Sequence, residues 1–162
     1  MMGQIIKIGM ADFNTGKNDD ILTTLGLGSC IGITLYDPVA KIGGLVHIML
    51  PSSKAIRNNS NPAKFADTGI EFLLKEMLKL GADRSRLVSK IAGGAQMFSF
   101  DSKNDIMKIG ERNAIATKEK LKELNLPLVS EDIGGTFGRT IELYCETGIL
   151  VVKTIGHGIK KI

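Results

Sequence analysis

No tryptophan occurs in this 162-residue chain, and it holds only two cysteines, two histidines and four prolines. Each shortage excludes something. With aromatics at 5% there is little for nucleic-acid bases to stack on. Cys30 and Cys145, far apart in the chain, make no disulfide framework and suit a reducing compartment. No group of Cys and His has zinc-ligand spacing, so neither a metal nor another cofactor is expected. No apolar run approaches the ~20 residues of a membrane span, and the N-terminus lacks a signal peptide's apolar core. The expectation is a cytoplasmic protein without membrane insertion. Charge of one sign is missing too. The net +4 is spread out, and Lys118, Lys120 and Lys122 alternate with Glu119 and Glu123 as on a solvated helix face. Nucleic acid is therefore not an expected partner, whereas an acidic protein surface is compatible.

What is present is a globular composition with unusually many glycines. Hydrophobic residues make up 43% and charged ones 23%, enough to bury a core in one domain spanning 1–162. The nineteen glycines recur as pairs at the ends of apolar segments, as tight turns around a site require. Strands are expected at 4–9 and 21–25, separated by a polar stretch over 12–20. An apolar run at 30–36, the turn Asp37-Pro38 and a return at 43–50 read as a β-hairpin. A polar loop follows, then Asn61-Pro62 as N-cap and first turn of a helix reaching about Leu80 and stopped by Gly81. A strand over 86–92, a helix over 111–124, a short strand at 128–130 and a hairpin of 139–146 with 149–155 complete the reading. Six or seven strands and two helices predict an α/β fold, a mixed-sheet sandwich with helices packed on the sheet.

Cys30 follows the turn Gly26-Leu27-Gly28-Ser29, and His47 lies seventeen residues on, in an otherwise apolar segment. A thiol nucleophile needs a base close by, and a buried imidazole needs a polar partner. The hairpin can supply both. A loop centred between Pro38 and Val39 puts Cys30 directly opposite His47; one centred a residue later makes them diagonal neighbours on one face. An odd slip separates them onto opposite faces. Thr23 or Thr24 can hold the imidazole in the tautomer that accepts the thiol proton. Gly28 and Ser29 line the site, and the Cys30 N–H is a candidate oxyanion donor. No carboxylate suggests itself as third member. Cys145 alternates with Ile141 and Leu143, a core position, and His157 is expected at the surface. Gly93-Gly94 and Gly134-Gly135 match no nucleotide-binding pattern.

Several longer motifs carry a resemblance. They are 25–30 (Leu-Gly-Leu-Gly-Ser-Cys), 44–51 (Gly-Leu-Val-His-Ile-Met-Leu-Pro), 64–68 (Lys-Phe-Ala-Asp-Thr), 90–98 (Lys-Ile-Ala-Gly-Gly-Ala-Gln-Met-Phe), 109–113 (Ile-Gly-Glu-Arg-Asn), 131–135 (Glu-Asp-Ile-Gly-Gly) and 138–140 (Gly-Arg-Thr). In this order they resemble the chemoreceptor glutamine deamidase family, CheD, over nearly the whole chain. The resemblance implies a Cys–His–Thr triad on Cys30, His47 and Thr24, and a fold related to toxin glutamine deamidase domains. It implies hydrolysis of particular glutamine side chains on methyl-accepting chemotaxis receptors to glutamate, through a thioester. It also implies a partner, CheC, a phosphatase of phosphorylated CheY. The alternative function is a binding module that docks and stimulates CheC, with catalysis secondary; a papain-like protease is disfavoured, since no Asn partner or extended cleft is suggested.

Overall fold

A computed structural model describes residues 3–97 and 108–162. It is mixed α/β, with ten strands in two five-stranded sheets and two α-helices among the described residues. The first sheet orders β1 (Ile5–Ile8), β3 (Ile21–Leu27), β8 (Arg139–Tyr144), β9 (Leu150–Thr154) and β10 (Gly158–Lys161). The second orders β2 (Phe13–Lys17), β5 (Ile42–Ile48), β4 (Ile31–Asp37), β6 (Val88–Gly93) and β7 (Leu128–Ile133). Each sheet has one parallel pair, β1 with β3 and β6 with β7.

The period-two alternation of β4 and β5 builds the layers. Ile31, Ile33, Leu35, Val46 and Ile48 face α1 (Ala66–Lys79) and α2 (Ile109–Glu123), in one core with Ile70, Leu73, Met77, Ala114 and Leu121. On the opposite face, Leu45 joins Leu22, Leu27, Ile141, Leu143 and Val152 of the first sheet in a second core. The second sheet is therefore buried on both faces, between helices and sheet. That is why β4 and β5 read as continuous apolar runs rather than alternating ones.

Three expectations need correction. The strands number more than six or seven. Segment 12–20 holds β2, and β10 follows the expected last hairpin. Both are edge strands, β2 with a mostly polar sequence and β10 exposed throughout, and edges tolerate a composition that looks like turn. The strand expected at 128–130 runs on to Ile133, because its parallel partner β6 supplies the ladder. The helix expected from Pro62 is divided. Asn61 caps a short 3₁₀ turn, Pro62–Lys64, and Phe65 is extended. The reason is competition for backbone groups. The Lys64 carbonyl accepts from Met49 and Leu50, and the Ala66 N–H donates to Leu50, so α1 begins only at Ala66.

Candidate functional site

The hairpin register places Gly32 directly opposite His47. This is the later-centred of the two site-forming registers. Cys30, two residues before Gly32, shares that face as the diagonal neighbour of His47, at the end of the inter-sheet core. Cys30, His47 and Thr24 are all buried.

His47 is tied to the first sheet by its side chain. Its Nδ1 lies 2.7 Å from Thr24 Oγ1, and the same oxygen is 2.7 Å from the Ile8 carbonyl. A threonine hydroxyl has one hydrogen, and a carbonyl only accepts, so that hydrogen goes to Ile8. Thr24 must then accept from His47 Nδ1–H, which leaves Nε2 with a lone pair. This tautomer can take up a proton at Nε2. Nε2 is buried and has no hydrogen-bond partner among the described residues. Thr23, the other candidate, spends its hydroxyl on the Ile141 carbonyl at 2.8 Å. Neighbouring strand residues face opposite ways, so one threonine meets the imidazole and the other does not.

Burial sets the protonation states. It pushes the Cys30 thiol above its usual range, with the residue's own backbone N–H pulling the other way. It draws His47 down to about 4. At neutral pH the resting pair is thus a neutral thiol and a neutral imidazole rather than an ion pair. Such a pair suits general-base transfer rather than attack by a preformed thiolate.

The turn carrying Cys30 is fastened at three consecutive carbonyls. Gly28 O accepts from Ala95 N–H at 2.8 Å, Ser29 O from Asn113 Nδ2 at 2.9 Å, and Cys30 O from Gly94 N–H at 2.8 Å. Gly93 has φ +115, and a Cβ there would stand 2.2 Å from the Cys30 carbonyl oxygen. Glycine is what lets β6 approach so closely. The Gly93-Gly94 pair therefore braces the turn. Gly28 and Ser29 are partly exposed at the rim, and Met97 packs over Gly28.

Two polar groups here were not singled out by sequence reasoning. Asn113 on α2 also donates to Met49 O at 3.0 Å, so it spans the Cys30 turn and the strand end beyond His47. Its sequence signal was its place as the last residue of the 109–113 motif, inside the expected helix. Arg139 of β8 reaches Asp132 at 3.2 Å and the Gly93 carbonyl at 3.4 Å, bridging the two sheets beside the turn. Cys145 is buried in the second core, where burial pushes its thiol up to about 12. His157 is exposed, its ring against Phe137. Phe98, the last residue of the 90–98 motif, lies outside the described residues.

Concavities of about 410 and 500 Å³ are lined by Lys118–Leu128 residues and by Pro51–Lys54 with Asp67 and Glu123; Cys30 and His47 line neither.

A family described as CheD chemotactic sensory transduction matches residues 49–154. The chain is 64% identical over 162 residues to a probable chemoreceptor glutamine deamidase CheD of Caldanaerobacter subterraneus subsp. tengcongensis, covering 100% of both chains. A relative with the same description from Lachnoclostridium phytofermentans is 58% identical over 161 residues, 99% of this chain and 100% of the relative. A third, from Syntrophomonas wolfei, is 60% identical over 157 residues, 97% of this chain and 98% of the relative.

Proposed function

The chain belongs to the CheD family, and from that premise we propose that it hydrolyses glutamine side chains of chemotaxis receptors to glutamate, with Cys30 as nucleophile. The observation that carries the reading is the Thr24–His47 hydrogen bond, which leaves Nε2 as a buried proton acceptor on the face shared with Cys30. His47 Nε2 takes the thiol proton as Cys30 Sγ attacks the side-chain amide carbon. The Cys30 N–H donates to the oxyanion that forms, with Gly28 and Ser29 lining the approach. Collapse of the tetrahedral species breaks the C–N bond. His47 returns its proton to the leaving nitrogen, and ammonia departs from a thioester. A water then gives a proton to Nε2 and attacks the thioester; the carboxylic acid leaves and Cys30 recovers its proton. Thr24 keeps the ring oriented throughout. No step calls for a cofactor. The work falls in the cytoplasm, where the receptor helices carrying such glutamines lie.

A second reading rests on the apolar rim beside the turn. Met97, Phe137 and Ile155 are 46%, 36% and 76% exposed; Met97 lies over Gly28 and beside Gly138, which Ile155 also flanks. This rim suits a helix from a protein partner, and a receptor or CheC can each supply one. In that reading the protein docks and stimulates CheC, with catalysis secondary.

Mass spectrometry of a receptor cytoplasmic fragment incubated with wild-type protein and with Cys30→Ala tests both. Amide-to-acid changes at defined glutamines, lost in the variant, are expected. An inert wild type acting on a receptor from the same cell would sink the enzymatic reading. A Cys30→Ala variant that still stimulates CheC would show docking to be separate from catalysis.

A further inference from the structure

Asn113 lies in the N-terminal half of α2 and is fully buried. Its amide nitrogen has two hydrogens, and both are committed, to Ser29 O and to Met49 O. The orientation of the amide is thereby fixed, because a flip would aim its oxygen at two carbonyl oxygens. Oδ1 is left buried with no partner among the described residues. Leaving a buried acceptor unpaired forfeits its hydration with nothing in return. The chain tolerates that cost for two bonds to carbonyls 84 and 64 residues away, both next to the proposed catalytic groups.

The consequence follows from peptide geometry. All described peptide bonds are trans. In a trans peptide the C=O and the following N–H point in opposite directions. With Ser29 C=O held toward α2, the Cys30 N–H must face away from α2. No protein acceptor takes that N–H among the described residues, and it lies close enough to the Cys30 sulfur to influence it. Turned through half a circle, the same peptide would present a carbonyl to the substrate and repel a developing oxyanion.

We propose that Asn113 is a positioning residue: by holding the Ser29 carbonyl it fixes the Ser29–Cys30 peptide with the Cys30 N–H toward the substrate amide oxygen. Its bond to Met49 O keeps the end of β5 in place beside that turn. The inference rests on the thiol-deamidase reading above. It separates oxyanion stabilisation, which depends on Asn113, from thiol activation, which depends on His47 and Thr24.

Two rates on the full chain distinguish these. Deamidation of a receptor cytoplasmic fragment, followed by ammonia release, passes through an oxyanion. Alkylation of Cys30 by iodoacetamide displaces iodide and does not. For Asn113→Ala, kcat is expected to fall ~10²–10³-fold, as on losing an oxyanion donor. KM stays near wild type, and the Cys30 alkylation rate falls far less than kcat, by no more than the N–H's hold on the sulfur. An unchanged kcat overturns the inference. So does an equal fall in both rates, which marks general damage to the thiol–imidazole pair. If Asn113→Ala does not fold, Asn113→Asp takes the same two measurements, since it keeps the volume and, protonated, one donor. Wild-type protein that alkylates but releases no ammonia removes the deamidase reading and this inference with it. That failure shows in the wild-type arm, so it is distinguishable from a failure of Asn113 alone.

Discussion

Thr24 Oγ1 and His47 Nδ1 meet at 2.7 Å across the gap between two sheets, and the direction of that bond decides which imidazole nitrogen carries the proton. Thr24 can only accept, because its hydrogen is given to Ile8. The neutral ring therefore offers Nε2 as a base. Thr24→Val keeps the shape of the side chain and removes the acceptor. We expect kcat to fall by ~10²-fold, within the range of lost general-base catalysis, with KM little changed. Thr24→Ser should keep most of the activity. Equal kinetics for the valine variant and wild type would remove Thr24 from the site.

The acidity of His47 gives a pH profile. Burial lowers its pKa to about 4, below the ordinary value of 6.5. The base form then persists well below neutrality, and the acid limb of kcat/KM belongs at about 4. A limb at 6.5 would show a solvated imidazole. Stability moves in the same window. The unfolded chain binds a proton at about pH 6.5 that the folded chain refuses until about 4. Folding stability from this group is thus present above 6.5 and declines as pH falls toward 4.

Asp37, the strongest expected acid-sensitive brace, is fully buried at the β4–β5 turn. Its carboxylate accepts Arg86 Nε and Nη2 at 2.9 Å each, with the N–H groups of Asp83, Val39 and Ala40. The Arg86 guanidinium holds its carboxyl well below the usual range. The sign is that of a depressed acid: its stabilisation is present above about pH 4 and lost as pH falls further. Asp37→Asn should cost about 2–3 kcal/mol, less than a fully buried pair because Arg86 is partly exposed. Denaturant melts at pH 7 and pH 3 check both points, and the variant should lose less than wild type between them.

Gly110→Ala pits two effects against each other. Replacing glycine inside a helix ordinarily gains about 1 kcal/mol. Here the new Cβ would lie 2.5–2.7 Å from the backbone of Gly94 and Ala95, which cannot rotate away. The same two residues fasten Cys30 and Gly28. Overpacking of this kind costs about 1–3 kcal/mol. The expected result is a net loss in a thermal melt together with reduced deamidation. A more stable Gly110→Ala protein would show that α2 is not pressed against the turn.

Continuous apolar runs at 30–36 and 43–50, either side of the Asp37-Pro38 turn, made the hairpin legible, because side-chain burial is written residue by residue. Its register was not, since two loop centres satisfy the same pattern; packing against β2 and β6 is also part of what fixes it. The edge strands β2 and β10 were hidden because their partners, not their residues, make them strands. Thr24 stood out from Thr23 in the sequence through family motifs alone. In the structure they separate because adjacent strand residues face opposite ways.

By itself, then, the sequence determined which groups the protein has to work with: one thiol after a glycine turn, one imidazole in an apolar strand, and an α/β chain long enough to bury them. Only the tertiary structure decided which nitrogen of His47 keeps its lone pair, which carbonyls hold the Cys30 turn, and that Asn113 reaches both sides of it. The reason is range. Burial is a property a residue shows by its type, whereas hydrogen-bond partners 16 to 84 residues apart are brought together only when the sheets and helices pack.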